Sequence, residues 1–172
     1  MIRLITPCEA YLPSYAEAFE AYESFPRLAG NPFSDPCKGD LLARIDDFRH
    51  ERNLPDGWVG ATTLWLVDEE RQRFIGQIDI RHRLTDSLLR YGGHIGYAIR
   101  LDEWNRGYGT QMLALALPHA KALGITRCLI TCDDDNPGSA RVMEKNGFTL
   151  GDKIDNVIGG EAIITRRYWR EL

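Results

Sequence analysis

Seven consecutive residues, Trp104-Asn105-Arg106-Gly107-Tyr108-Gly109-Thr110, have types and spacing that could hold an anion. They lie between an apolar strand pattern, His94 to Leu101, and a helical pattern, Gln111 to Leu123. The first N–H groups of a helix have no partner inside it, and the aligned peptide dipoles place about half a positive charge there. A phosphate suits that geometry. Gly107 and Gly109 lack a Cβ, so the chain can approach a bulky diphosphate and take φ values closed to other residues. Arg106 adds a fixed cation beside them. An ordinary helix start with convenient glycines fits the same residues, because a short glycine pattern is a weak signal alone.

A second cluster follows the apolar run Cys128-Leu129-Ile130-Thr131-Cys132. It is Asp133-Asp134-Asp135-Asn136-Pro137-Gly138-Ser139, then Ala140 to Met143, then Glu144-Lys145-Asn146-Gly147-Phe148. The order is strand, polar turn, short helix, glycine stop. Together the two clusters resemble the GCN5-related N-acetyltransferase (GNAT) superfamily, which binds acetyl-coenzyme A. Its fingerprint is Gln/Arg-x-x-Gly-x-Gly/Ala at a helix start, then Asn, then Glu-Lys-x-Gly-Phe. Gly107 and Gly109 match the small positions, Asn136 the asparagine, and Glu144 to Phe148 the terminal box. Trp104 stands where Gln or Arg is usual, and Met143 where many members carry a catalytic tyrosine. The resemblance is strongest over residues 75–150 and weak before about residue 60.

The resemblance implies a mixed α/β (α+β) fold, with a mostly antiparallel central sheet flanked by helices and a splay at the coenzyme A site. It implies that the pantetheine arm pairs with main-chain groups of Ile99, Arg100 and Leu101, a mode that needs no particular side chain. The diphosphate would lie on the amides of Arg106, Gly107, Tyr108, Gly109 and Thr110, and Asn136 would hold the far side. Asparagine before proline is also a common turn or N-cap residue. The activity implied is acetyl-coenzyme A-dependent transfer of an acetyl group to a primary amine, on a small molecule or a peptide. A non-catalytic acyl-coenzyme A sensor of the same fold is the alternative.

Acetyl transfer to an amine needs a neutral nitrogen, a stabilised oxyanion and a proton for the leaving thiolate. Met143 cannot donate that proton. Tyr168, in Arg166-Arg167-Tyr168-Trp169, is a candidate donor, or the thiolate departs unaided. His94 and His82 are candidate bases because imidazole titrates near neutrality, and Asp79, between Ile78 and Ile80, is a third. Each of these residue types is equally at home in a structural role.

Composition narrows the function classes. At 172 residues the chain is sized for one domain, 1–172, with acceptor-side elements in 1–60 and a coenzyme-binding core in 75–150. A formal charge of −4 argues against nucleic acid as the main partner, which needs a broad basic surface, and leaves cationic amines plausible. No apolar run spans a bilayer and the N-terminus does not read as a signal peptide, so the expected location is cytoplasmic. The cysteines at 8, 37, 128 and 132 lack paired metal spacing, the four histidines are scattered, and no metal is expected. A homodimer is left open. A dinucleotide-binding fold would need its glycine loop after the first strand and a third glycine, and this sequence has neither.

The elements that must position these residues follow from periodicity. Ile2 to Thr6 reads as a strand and Glu9 to Ser24 as a helix with Pro13 near its start. Phe25 to Gly39 reads as a long loop of the kind that is often functional, and Asp40 starts a helix carrying Leu41, Leu42, Ile45 and Phe48. Thr62 to Val67 and Arg73 to Ile80 form a hairpin signal. Gly93 to Ile99 reads as a strand whose Gly96 implies a bulge or close approach of another backbone. The helix Tyr108 to Leu123 reads as apolar nearly all round, hence buried and kinked at Pro118. Two strands are expected over Val157 to Trp169.

Overall fold

The computed structural model describes residues 1–25 and 30–172, so part of the loop expected over Phe25 to Gly39 lies outside the described residues. Strands β1 (Ile2–Ile5), β2 (Ala61–Asp68), β3 (Arg73–Arg81) and β4 (Ile95–Ile99) form one antiparallel sheet in that order. Strands β5 (Arg127–Asp133), β6 (Thr149–Ile158) and β7 (Glu161–Glu171) form a second, ordered β5-β7-β6. The helices are α1 (Leu12–Glu23), α2 (Leu41–Arg49), α3 (Asp86–Arg90), α4 (Tyr108–Ala122) and α5 (Pro137–Lys145).

Alternation along β2 and β3 decides what covers each face of the first sheet. Leu64, Leu66, Ile78 and Ile80 point to one side, where Met112, Leu113, Ala116 and Ala120 of α4 meet them. Trp65 and Val67 point to the other, with Tyr15, Ala18 and Tyr22 of α1 and Leu41 of α2. Each fully buried large side chain contributes about 1.5–3 kcal/mol of transfer free energy, so a strand covered on both faces anchors the sheet. β2 is that strand, buried from Thr62 to Asp68.

The sheets meet at a narrow joint. Gly93 bridges to Ile130, and the His94 N–H donates to the Leu129 carbonyl at 2.7 Å. In return the Leu129 N–H donates to His94 Nδ1 at 3.0 Å. A Cβ on Gly93 would stand 2.5 Å from the Leu129 carbonyl oxygen, and its φ of +64° suits glycine, so no other residue fits. Beyond this joint β4 and β5 are not paired with each other, which is the expected splay.

Several expectations are corrected. Gly96 makes no bulge: it pairs regularly with Asp79, and the group that comes close is the Arg81 guanidinium. The backbone approach occurs at Gly93 instead. Helix α4, continuous through Pro118, is not apolar nearly all round: Leu115 is exposed, so one stripe of the helix faces solvent. The last hairpin begins at Thr149, not Val157. β6 is an edge strand exposed over most of its length, so burial imposes no alternating apolar pattern on its first half. Helix α3, capped by Thr85 accepting from the Leu88 N–H, was not expected. The Thr85-Asp86 pair is the signal that could have found it.

Candidate active site

The split between β4 and β5 is flanked by the starts of α4 and α5. At α4, Asn105 (φ +61°) and Gly107 (φ +82°) are left-handed while Arg106 between them is not. Alternating backbone hands turn successive N–H groups to one side and make an anion-binding nest. None of the N–H groups from Arg106 to Thr110 has an acceptor among the described residues, and the first helical bond is Gln111 N–H to the Gly107 carbonyl.

The two glycines do different things. Gly107 supplies the left-handed conformation, whereas Gly109 has an ordinary φ. A Cβ on Gly109 would stand 3.2 Å from Val142 Cγ2 and 3.9 Å from Ile99 Cγ1, so its smallness lets α4 seat against α5 and the end of β4. Arg106 is exposed, and its Nη1 lies 3.0 Å from Glu103 Oε2 at an angle too poor for a hydrogen bond, making a charge contact. Glu103 is 1% exposed and also accepts from Arg71 Nη1 at 2.6 Å, so this buried carboxylate braces the loop.

Ile99, Arg100 and Leu101 do not share one edge. Main-chain groups alternate sides along a strand. The Arg100 N–H donates to the Ile75 carbonyl at 2.9 Å, toward β3, and its buried guanidinium binds Ser14 Oγ and the Phe74 carbonyl, each at 3.0 Å. Ile99 faces the split. Its carbonyl accepts from Tyr22 Oη at 2.7 Å and from Trp104 Nε1 at 2.8 Å. Across the split, Asn136 caps α5 by accepting from the Ser139 N–H at 3.0 Å. Asn146 at the other end donates to the carbonyls of Thr110 and Val142, tying α5 to the first turn of α4. A hydroxyl the sequence reading passed over also spans this region: Tyr97 Oη lies 2.8 Å from Ser139 Oγ. In the sequence it reads only as part of the strand from Gly93 to Ile99. Burial raises the Tyr97 pKa far above the usual phenol value.

The remaining candidates are spread apart. Tyr168 is 1% exposed and donates to Glu144 Oε1 at 2.9 Å, within the core that also holds Met143. His82 Nε2 contacts Thr62 Oγ1 at 3.0 Å and its Nδ1 faces Glu51 at 3.4 Å. His94 is the sheet joint, and because its Nδ1 accepts, its proton lies on Nε2. Burial and the nearby Arg81 cation lower its pKa.

Asp79 alone among the sequence-derived bases and acids lines a large cleft. The cleft, about 680 Å³, lies between α2 and the β2–β3 face and reaches Gly92, next to the joint. Such a volume suits a small molecule. Thr63, Gln77, Asp79 and Arg81 form its polar floor, and Phe48, Trp58, Val59 and Leu88 its apolar walls. Trp65 Nε1 donates to Gln77 Oε1 at 3.1 Å, which turns the amide so that Nε2 donates to Asp79 Oδ2 at 3.0 Å. Thr63 Oγ1 donates to Asp79 Oδ1 at 2.6 Å. Burial raises the Asp79 pKa, opposed by these two donors and by the Arg81 charge.

Residues 2–149 match the family described as acetyltransferase (GNAT) domain, and the chain belongs to that family. No curated protein sequence matches it. Solved structures share the fold at low identity. RimL, a ribosomal L7/L12 alpha-N-protein acetyltransferase in complex with coenzyme A, superposes with a TM-score of 0.73 at 17% identity, covering 99% of this chain and 94% of that one. A ribosomal-protein-S5-alanine acetyltransferase from Vibrio fischeri gives 0.69 at 18% identity, covering 99% and 91%. A spermidine N-acetyltransferase chimera from Vibrio cholerae and hSSAT gives 0.65 at 12%, covering 99% and 95%. Among the described residues no helix is long and apolar enough to cross a membrane.

Proposed function

We propose that this acetyltransferase moves an acetyl group from acetyl-coenzyme A to a primary amine, with Asp79 taking the proton that the amine gives up. One observation carries the reading: a desolvated carboxylate floors a small-molecule cleft that adjoins the joint of a split sheet, and a nest of unpaired amides starts the helix beside that split. The solved relatives supply the donor, since one is complexed with coenzyme A.

The chain's residues fit that donor. The amides of Arg106, Gly107, Tyr108, Gly109 and Thr110 would bind its diphosphate, Arg106 would add charge at a position fixed by Glu103, and Asn136 would hold the far side. Ile99 and Leu101 would pair with the pantetheine arm, while Arg100 positions the strand from behind. Acetyl-coenzyme A supplies the acetyl group as a thioester, and the amine's new C–N bond replaces the C–S bond. Asp79 is oriented by Thr63 and Gln77, and its raised pKa suits a proton acceptor. Tyr97, whose hydroxyl meets the Ser139 carbonyl and hydroxyl at the start of α5, is a second candidate proton donor for the thiolate beside Tyr168, whose hydroxyl donates to Glu144. His94 and His82 keep structural roles as sheet joint and strand-end clamp.

Thiol release from acetyl-coenzyme A, followed over a panel of amines, tests the reading. Acetyl transfer to at least one amine is expected, with the rate rising with pH through the Asp79 pKa and that rise missing in Asp79→Asn. Coenzyme A binding without transfer to any amine would favour the sensor, in line with the buried Met143 at the usual tyrosine position.

A further inference from the structure

The charge inside the cleft narrows the acceptor, given the acetyl transfer proposed above. Only three ionisable side chains other than tyrosine line it among the described residues: Asp79, Arg81 and Arg44. Two guanidinium groups face one carboxylate, so the lining is not that of a site for a polycation. Arg81 is the informative one. Its Nη1 donates to the carbonyls of Gly92 and Gly93, each at 3.0 Å, and no carboxylate lies within ion-pair distance of it among the described residues. Its Nη2 makes no hydrogen bond there and lies 3.4 Å from where a Gly96 Cβ would stand. The Nη edge of the guanidinium thus points at Gly96, the residue that pairs across the sheet with Asp79. A positive and a negative group sit side by side on the floor, close enough to feel each other's charge but without an ion pair or hydrogen bond between them. A partly buried cation with no carboxylate bonded to it is costly, and its best complement is a second carboxylate.

We infer that the acceptor is an amine that also carries a carboxylate, an amino acid in chemical class, with its carboxylate on Arg81 and its amino group on Asp79. In an α-amino acid one carbon separates nitrogen from carboxylate, so both ends reach neighbouring groups on the floor. The rest of the molecule lies along Ile45, Phe48 and Trp58. Trp58 is 62% exposed and packs edge-on to Phe48 at 5.7 Å, an apolar wall that favours a hydrophobic or aromatic side chain. Arg44, the other lining cation, has its donors turned to the carbonyls of Lys38 and Asp35.

The test uses a matched set: L-phenylalanine, L-phenylalaninamide and phenethylamine as acceptors in the thiol-release assay. Phenylalanine is expected to exceed both others in kcat/KM by about 10- to 100-fold, the worth of a charge-assisted contact. Arg81→Met should abolish the preference through a higher KM for the acid, leaving the KM for acetyl-coenzyme A unchanged. Because Arg81 also holds two carbonyls near the joint, Arg81→Lys is measured alongside and should retain part of the preference. Equal or better use of phenethylamine or the amide, or a preference intact in folded Arg81→Met, overturns the inference. If no acceptor is turned over, acetyl transfer itself fails, and calorimetry with N-acetyl-L-phenylalanine and N-acetylphenethylamine decides separately. Tighter binding of the acid, lost in Arg81→Met, supports the carboxylate site; equal binding, or none, overturns it.

Discussion

The two sides of this site are built differently. The proposed coenzyme side is main chain: a nest of amides from Arg106 to Thr110, whose geometry depends on Asn105 and Gly107 being left-handed. The proposed acceptor cleft is side chain: Thr63 from β2, Gln77, Asp79 and Arg81 from β3, and Phe48 and Trp58 from around α2. Contiguous main chain can hold a phosphate wherever a helix starts after the right turn. A cleft of side chains exists only when strand register and helix packing bring distant residues together. The first side therefore tolerates side-chain change and resists backbone change, and the second does the reverse.

The largest expected effect is on the cleft. Asp79→Asn keeps the shape and should lower turnover by about 10²–10⁴-fold while coenzyme A affinity, measured by calorimetry, stays put. The same change should raise the melting temperature at neutral pH. Burial raises the folded pKa of Asp79 above its unfolded value of about 3.9, so ionisation at higher pH costs the fold stability, and asparagine removes that cost. Unchanged turnover in Asp79→Asn would remove the base from the cleft and collapse the contrast.

Next in size is a backbone change on the coenzyme side. Gly107→Val forces a β-branched residue into φ +82° and should weaken coenzyme A binding at least about tenfold, with Arg106→Ala doing less because the amides remain. Gly109→Val acts by another route, pressing its Cβ on Val142, and should lower stability along with affinity. If Arg106→Ala proved worse than Gly107→Val, the side chain would dominate and the main-chain description would fall.

A smaller, spectroscopic effect is expected at the boundary. Trp104 Nε1 now donates to the Ile99 carbonyl, so pairing of a pantetheine amide there should displace the indole and change its fluorescence on addition of coenzyme A. The Trp104→Phe protein should lose that change and still bind. A change of equal size in the variant would place the signal at another tryptophan.

The smallest effect concerns the joint. The His94 pKa is lowered by burial and by Arg81, so the folded state prefers the neutral ring that accepts from Leu129. The unfolded chain takes up a proton below about pH 6.5, so stability is lost as pH falls through that value toward the folded pKa. The melting temperature should drop between about pH 7 and 5, and drop less in His94→Asn, whose side-chain oxygen can accept without titrating. An equal drop in both proteins would assign the acid sensitivity elsewhere.

The chain itself determined the elements whose signals are local. Left-handed Gly107, the Asn136 cap, the Gly147 stop and the 3.6-residue pattern of α4 depend on residues within a few positions of one another, and all are found as the sequence reads. The mixed sheet and its splay follow from family resemblance on the same residues. Tertiary structure decided the rest. Antiparallel pairing with β3 turned the Arg100 N–H away from the split, and the same pairing set the Arg81 guanidinium against Gly96 beside Asp79. Only packing could make a wall of Phe48 and Trp58, set His94 at the sheet joint, and give the Tyr168 hydroxyl to Glu144. A side chain's chemistry depends on which neighbours desolvate it and which donors it meets, and those neighbours lie tens of residues away in the sequence.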